Sequence, residues 1–125
     1  MSRKLYEPTA KQIEKWALAD SKAAAMPTDD EFKLQWAKEH HGKEKGWGMA
    51  KKNWILRQMS NTTEYQTGIW QGRVDCATGF GYAEKKTDTA YNLGYYRGYT
   101  EYEKQATKGW DKVQAAEFKS KYMEA

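Results

Sequence analysis

The side chains that most often carry catalytic chemistry are scarce in this chain of 125 residues, which has two histidines and one cysteine. His40 and His41 are neighbours, and neighbouring side chains on a helix point about 100° apart. Zinc sites use histidines four residues apart or pairs of cysteines, so these two histidines do not fit one. No nucleophile elbow, phosphate-binding loop or zinc-protease motif occurs. We therefore predict no enzyme, no metal and no cofactor, although carboxylates and tyrosines could still serve as acids or bases.

The positive charge of the chain is concentrated in one segment. Lysine and arginine number 21 against 17 acidic residues, which gives a net charge of +4. Residues 43–58 contain five cations and a single acid, Glu44, so this segment accounts for the whole excess. Two tryptophans lie among the cations. The binding residues predicted in this segment are Lys43, Lys45, Trp47, Lys51, Lys52, Trp54 and Arg57.

Three interpretations of this basic segment remain open from the sequence. Cations interleaved with aromatic rings suit contacts with phosphates and stacking on bases. The same residues equally suit docking on an acidic protein surface. The segment can also be an ordinary solvated helix face with both tryptophans turned inward.

The elements that must position these residues are predicted to be helices. Apolar periodicity predicts helices near 8–26, 28–42, 49–59 and 63–85, a further helix capped by Thr87 or Asp88, and a short one after Gly109. Thr28 and Glu31 have the spacing of a capping box, and Gly42 is a plausible C-cap. The residues predicted to face inward in the first, third and last helices are Ile13, Trp16, Ala17, Ala24, Trp47, Ala50, Trp54, Met59, Trp110, Val113 and Phe118.

A repeated frame marks the second half of the chain: YQTGIWQGR begins at Tyr65, and YNLGYYRGY begins at Tyr91. Each copy has tyrosine, an amide residue, one variable residue, glycine, three residues and glycine, which places glycines at Gly68, Gly72, Gly94 and Gly98. A glycine inside a helix costs about 1 kcal/mol relative to alanine, so a packing gain must offset it.

Glycines four residues apart lie on one helix face and form a shallow groove. We therefore predict an antiparallel helical hairpin whose two helices meet at their glycines. The alternative is a groove that is left open to grip a partner. A strand alternative exists for the second copy, because tyrosine and threonine favour strands.

The first copy, YQTGIWQGR, resembles a short stretch of ribosome modulation factor, a small basic bacterial protein that binds ribosomes. The resemblance covers nine residues, and the spacing of the two glycines differs by one. No function is carried over from it. In general character, a short single-domain chain rich in lysine and tyrosine is also similar to many accessory proteins of phages.

We predict one compact all-α domain of five or six helices. Its parts are an N-terminal helix pair at 1–42, the basic tryptophan-bearing segment at 43–60, the helical hairpin at 61–106 and a short C-terminal helix at 107–125. The lone Cys76 is predicted to be a buried thiol and excludes an internal disulfide. No targeting signal or apolar span is evident, so a cytoplasmic location is expected.

The function predicted from the sequence is that of a small non-enzymatic interaction protein. It would act as an inhibitor or modulator that binds a larger host or phage machine, as a monomer or homodimer. Exposed rings would join the basic segment as contacts, namely Tyr95, Tyr96 and Tyr99. The alternative is direct binding of DNA or RNA by residues 43–58.

Overall fold

The computed structural model describes residues 2–42, 45–85 and 89–124, and within them every regular element is helical. The all-α prediction is therefore confirmed, and the strand alternative for the second glycine frame is wrong. The elements are α1 (Ala10–Lys22), α2 (Asp29–Glu39), α3 (Trp47–Met59), α4 (Thr63–Thr78), α5 (Thr89–Gln105) and α6 (Lys112–Phe118), followed by a π-helical turn at Lys119–Met123.

Local capping signals define the first two helices. Thr28 caps α2 and Glu31 closes the predicted capping box, and Thr9 forms a second box with Gln12 at the start of α1. α1 ends at Lys22 rather than near residue 26, and Ala23 already has extended backbone, four residues before the proline at 27. The C-cap of α2 is His40, and Gly42 follows with a φ of 83°.

The glycines of the two frames bring α4 and α5 into direct backbone contact. A Cβ atom added at Gly68 would lie 2.2 Å from the carbonyl oxygen of Tyr91, and one at Gly94 would lie 2.1 Å from that of Tyr65. The corresponding distances are 2.4 Å from Gly72 to Tyr95 and 2.0 Å from Gly98 to Ile69. Only glycine fits at such distances, so the groove is filled by the other helix, and the open-groove alternative is wrong.

These contacts also show the relative direction of the two helices. Gly68 meets the backbone of Tyr91 and Tyr95, whereas Gly72, four residues later, meets Tyr95 and Tyr99. An advance along α4 is thus an advance along α5 in the same direction, so the helices run parallel. The predicted antiparallel arrangement is wrong.

The parallel arrangement requires the chain to return along the helix pair between α4 and α5. α4 accordingly ends at Thr78, seven residues before the predicted end, and Gly79 adopts a left-handed φ of 74°. The return segment, residues 79–85, packs on α5. The Tyr82 ring lies 5.0 Å from that of Tyr95, and the backbone N–H of Lys85 donates to the Asn92 side chain at 2.8 Å. The predicted caps at Thr87 and Asp88 lie outside the described residues.

Two apolar clusters flank the helix pair. The first contains Trp16, Trp70, Val74, Tyr102, Phe118 and Tyr122, and the second contains Ile55, Tyr65, Ile69 and Ala90. Ile55 of α3 is fully buried. The apolar periodicity of this helix predicted Trp47 and Trp54 as inward side chains and did not include Ile55.

Other residues predicted to face inward are exposed. Val113 is exposed because it lies five residues, and therefore about 140°, from the buried Phe118. Ile13, Ala17 and Ala24 are exposed because α1 and the residues after it contact the core mainly through Trp16.

Substitution of one seam glycine by alanine tests the backbone contact. We expect Gly98→Ala to lower the free energy of unfolding by about 3 kcal/mol, because the added methyl group forces two backbones apart. Gly48→Ala is the control, since a Cβ there meets nothing within 4 Å. It should be neutral or raise stability by up to about 1 kcal/mol. Urea denaturation of both variants measures the difference, and equal stability of Gly98→Ala and wild type would contradict the seam.

Candidate interaction surface

Some of the cations predicted as binding residues in the basic segment are exposed, and one forms an ion pair within the protein. Lys45, Lys52 and Arg57 are exposed, and Lys43 lies outside the described residues. Lys51 instead pairs with Asp29 at 2.7 Å and is mostly buried, so it links α3 to α2. The free cations of this segment are therefore fewer than the sequence indicated.

The two tryptophans of α3 are half-buried, so neither ring is fully free to act as an anchor. Trp54 packs edge-on against Phe32 of α2 at 6.1 Å between ring centroids. The Lys33 ammonium lies 4.9 Å from the centroid of Trp47. Both rings thus contribute to the packing of α2 on α3, which agrees with the interpretation that turned them inward.

The predicted tyrosines of α5 differ in exposure. Tyr95 was predicted as an exposed contact and is fully buried, because it lies on the seam face of the helix and its hydroxyl donates to Asp75. Tyr96 is 57% exposed and Tyr99 is half-buried. Tyr82 of the return segment packs edge-on against both rings, at 6.3 and 5.2 Å. An exposed aromatic patch thus exists, but its third member is Tyr82 rather than Tyr95.

A groove between α3 and α5 brings Lys52 of the basic segment together with Tyr96 of this aromatic patch. The groove has a cavity of about 230 Å³. The residues that line this α3–α5 groove are Lys52, Leu56, Tyr65, Leu93, Tyr96, Arg97, Thr100 and Glu101. Of these, only Lys52 and Tyr96 were predicted as binding residues. Three of the other lining residues could have been found in the sequence, since Leu93, Arg97 and Thr100 lie on the same helix face as Tyr96.

The floor of the α3–α5 groove contains an unsatisfied polar atom. Tyr65 is fully buried, and its hydroxyl has no hydrogen-bond partner among the described residues. The Arg97 guanidinium lies beside this phenol oxygen and donates to Glu101 at 3.1 Å. The pKa of Arg97 is raised first by the Tyr65 oxygen and then by Glu101, so Arg97 stays charged.

A larger cavity, about 650 Å³, lies elsewhere, between the N-terminal segment and α6. Its base is a stack of aromatic rings, with Tyr6 on Trp70 at 4.8 Å and Phe118 next to Tyr122 at 5.1 Å. Burial raises the pKa of Tyr6 to about 12, so its hydroxyl stays neutral and donates to Gln12. These rings contact one another as core residues do, and none of the predicted binding residues lies here.

Among the residues that the structure describes, Asp75 is the one fully buried carboxylate, and its partners hold the N-terminal segment in place. Arg3 binds both of its oxygens, at 3.1 and 2.7 Å, while Gln71 and Tyr95 donate further hydrogen bonds. Gln71 also binds the backbone of Lys4 and Tyr6. Asp75 and Gln71 therefore fasten the N-terminal segment to α4, and the satisfied carboxylate is not poised for acid–base chemistry.

Among the described residues, two further features bear on chemistry, namely the grouping of possible metal ligands and the state of the one thiol. No three histidine, cysteine, aspartate or glutamate side chains there cluster as metal ligands would. Cys76 is half-buried, and burial raises the pKa of its thiol, which lowers the fraction of reactive thiolate. The helices in the described part of the chain are all too short or too polar to cross a membrane.

No family model matches the chain, and no curated protein or solved structure is detectably similar to it. The short resemblance of the first glycine frame to ribosome modulation factor therefore gains no support from these comparisons.

Removal of the Arg3 side chain tests the role of the Asp75 cluster. We expect Arg3→Ala to lower the free energy of unfolding by about 3 kcal/mol, because a buried carboxylate loses its counter-ion. Adding Asp75→Asn to Arg3→Ala should recover part of the loss, since an amide needs no counter-ion. Arg57→Ala, at an exposed arginine, should change stability by less than about 0.5 kcal/mol. Thermal and urea denaturation measure all three, and an unaltered Arg3→Ala protein would contradict the anchoring role.

Proposed function

We propose that this protein is a small non-enzymatic interaction protein of the cytoplasm that binds a protein component of a larger assembly. The observation that carries the proposal is the α3–α5 groove, where Lys52 of the basic segment and the exposed Tyr96 of α5 lie beside Arg97. Exposed aromatic and arginine side chains around a small pocket are the residue types most enriched at the energetic centres of protein interfaces. An inhibitor or modulator of a host or phage machine would act through such a surface.

The size of the groove supports a protein partner over a small molecule. Sites for small ligands usually enclose about 300–1,000 Å³. The α3–α5 groove, at about 230 Å³, is smaller than this range and is open on one side to solvent through Tyr96 and Lys52. A pocket of this kind suits one anchoring side chain of a larger partner.

Nucleic acid is the second candidate, and the free cations of the basic segment favour it. Lys45, Lys52 and Arg57 are exposed and make no ion pair with a described residue. Each phosphate that a cation neutralises adds about 0.9 to the log–log salt slope on duplex DNA, so three cations predict a slope of roughly 3 and weak binding. Both tryptophans are half-buried and packed, which leaves little ring surface for base stacking. These features make a protein the better supported partner.

Charge reversal on α3 tests the proposed surface. The double variant Lys52→Glu with Arg57→Glu should lose about tenfold in binding to captured protein partners, since it places acid on an acid-binding face. The double variant Lys104→Glu with Lys108→Glu, at two exposed lysines at the end of α5 and in the turn after it, is the charge-matched control and should bind as wild type does. The measurement is affinity capture from nuclease-treated and untreated lysate, with quantification of each protein retained.

Loss of all captured material on nuclease treatment would contradict the proposal and favour nucleic acid. Titration with labelled duplex and single-stranded DNA and RNA at two salt concentrations measures that alternative directly. Absence of binding at low salt would remove it, because a weak electrostatic ligand binds best under that condition.

A further inference from the structure

The buried hydroxyl of Tyr65 has no hydrogen-bond acceptor among the described residues, since the Arg97 guanidinium beside it can only donate. A buried donor without an acceptor destabilises the folded protein. Phenylalanine would fill the same space without that cost. Tyr65 lines the cavity, and its hydroxyl can donate one hydrogen bond to an acceptor that reaches it when the Arg97 side chain moves aside.

The charges around the cavity favour an acidic acceptor. Lys52 stands on the α3 side and makes no ion pair with any described residue, and Arg97 stands on the α5 side. The one acid of the lining, Glu101, already pairs with Arg97, and both of these side chains are about half exposed. A carboxylate from outside could therefore replace Glu101 on Arg97 and gain Lys52 in addition.

The remaining lining, apart from Thr100, is apolar or aromatic. Leu56 of α3 and Leu93 of α5 are half-buried, and the Tyr96 ring forms an exposed edge. This combination of an apolar pocket with cations at its rim matches an apolar side chain that has an acidic neighbour in the same chain. A phosphate backbone offers the negative charge without the apolar group that these walls would bury.

We infer that the α3–α5 groove binds an acidic segment of a partner protein, with an apolar side chain between Leu56 and Leu93 and an adjacent carboxylate on Arg97 and Lys52. The Tyr65 hydroxyl is closed off from solvent in the free protein. A carboxylate that draws Arg97 away from Glu101 also brings an acceptor towards this hydroxyl. The inference rests on the proposed function and names the chemistry of the partner.

Synthetic peptides on an array test the inference directly, since they present the proposed chemistry whatever the identity of the partner protein. Each probe has one central leucine, methionine, phenylalanine or tryptophan flanked by aspartate and glutamate, and matched sets have serine or lysine flanks. We expect the acidic set to bind the wild-type protein at least about tenfold more tightly than the serine set. The lysine set should not bind.

Three variants locate this binding in the groove. Arg97→Ala should weaken binding of the acidic peptides by about tenfold, and Tyr65→Phe by severalfold. The melting temperature of Tyr65→Phe should equal or exceed that of the wild-type protein. If the hydroxyl served only to stabilise the fold, its removal would lower the melting temperature instead. Lys108→Ala, at an exposed cation in the turn after α5 and outside the cavity, should bind within about twofold of wild type.

Several results would overturn the inference. One is an array on which acidic peptides bind no better than serine peptides, and another is binding that survives both Arg97→Ala and Tyr65→Phe. Tighter binding of a single-stranded DNA or RNA oligonucleotide, lost in Arg97→Ala, would assign the groove to phosphates instead. If lysate capture retains a nuclease-resistant protein that Arg97→Ala binds equally well, the proposed function stands and this inference alone fails.

Discussion

The backbone contact between α4 and α5 is the constraint on which the rest of the structure depends. The four glycines of the seam sacrifice about 4 kcal/mol of helix propensity. In return, each backbone packs against the other, and carbonyl oxygens of one helix lie against the glycine Cα positions of its partner. The pair also has a local twofold relation, because the contact of Gly68 with Tyr91 is matched by that of Gly94 with Tyr65.

Side chains that cannot enter the seam must pack on its flanks, and this distributes the aromatic residues of the chain. One flank carries the cluster with Trp70 and Tyr102, which receives α1, α6 and the N-terminal segment. The other carries Tyr65 and Ile69 and receives α3 through Ile55. The α3–α5 groove lies on this second flank. Its floor is Tyr65, whose own carbonyl oxygen contacts Gly94, so a rigid floor meets a rim of exposed charged side chains.

Features that depend on neighbouring residues could be predicted from the sequence. The capping box at Thr28 and the helical nature of both glycine frames follow from short-range spacing. The relative direction of α4 and α5 could not be predicted in this way, because glycines four apart fit a parallel and an antiparallel partner equally well. The error began at the end of α4. A helix that continued to Lys85 would leave only a short turn, which permits an antiparallel partner alone, whereas Gly79 ends the helix early enough for the chain to return.

The candidate groove was predictable only in part for a related reason. The charge excess identified Lys52, and Tyr96 was one of three rings expected to be exposed, but the proximity of these two residues depends on how α3 packs on α5. The same packing determines which individual side chains are buried and which are exposed. Lys51, next to Lys52 in the chain, points to Asp29, and Tyr95, next to Tyr96, points into the core. Composition cannot separate such neighbours, since a turn of about 100° on the helix decides between burial and exposure.

The parallel direction of the glycine helices has a consequence for how the chain folds. In a helical hairpin the first contacts form next to the turn, and later ones close progressively. Here the seam contacts join residues that are all about 23 to 29 positions apart, such as Gly68 with Tyr91 and Gly98 with Ile69. No contact is more local than the others, so each must close a loop of similar length and similar entropy. Local structure therefore does not favour one seam contact over another, and we expect the seam to form cooperatively once the chain has reversed.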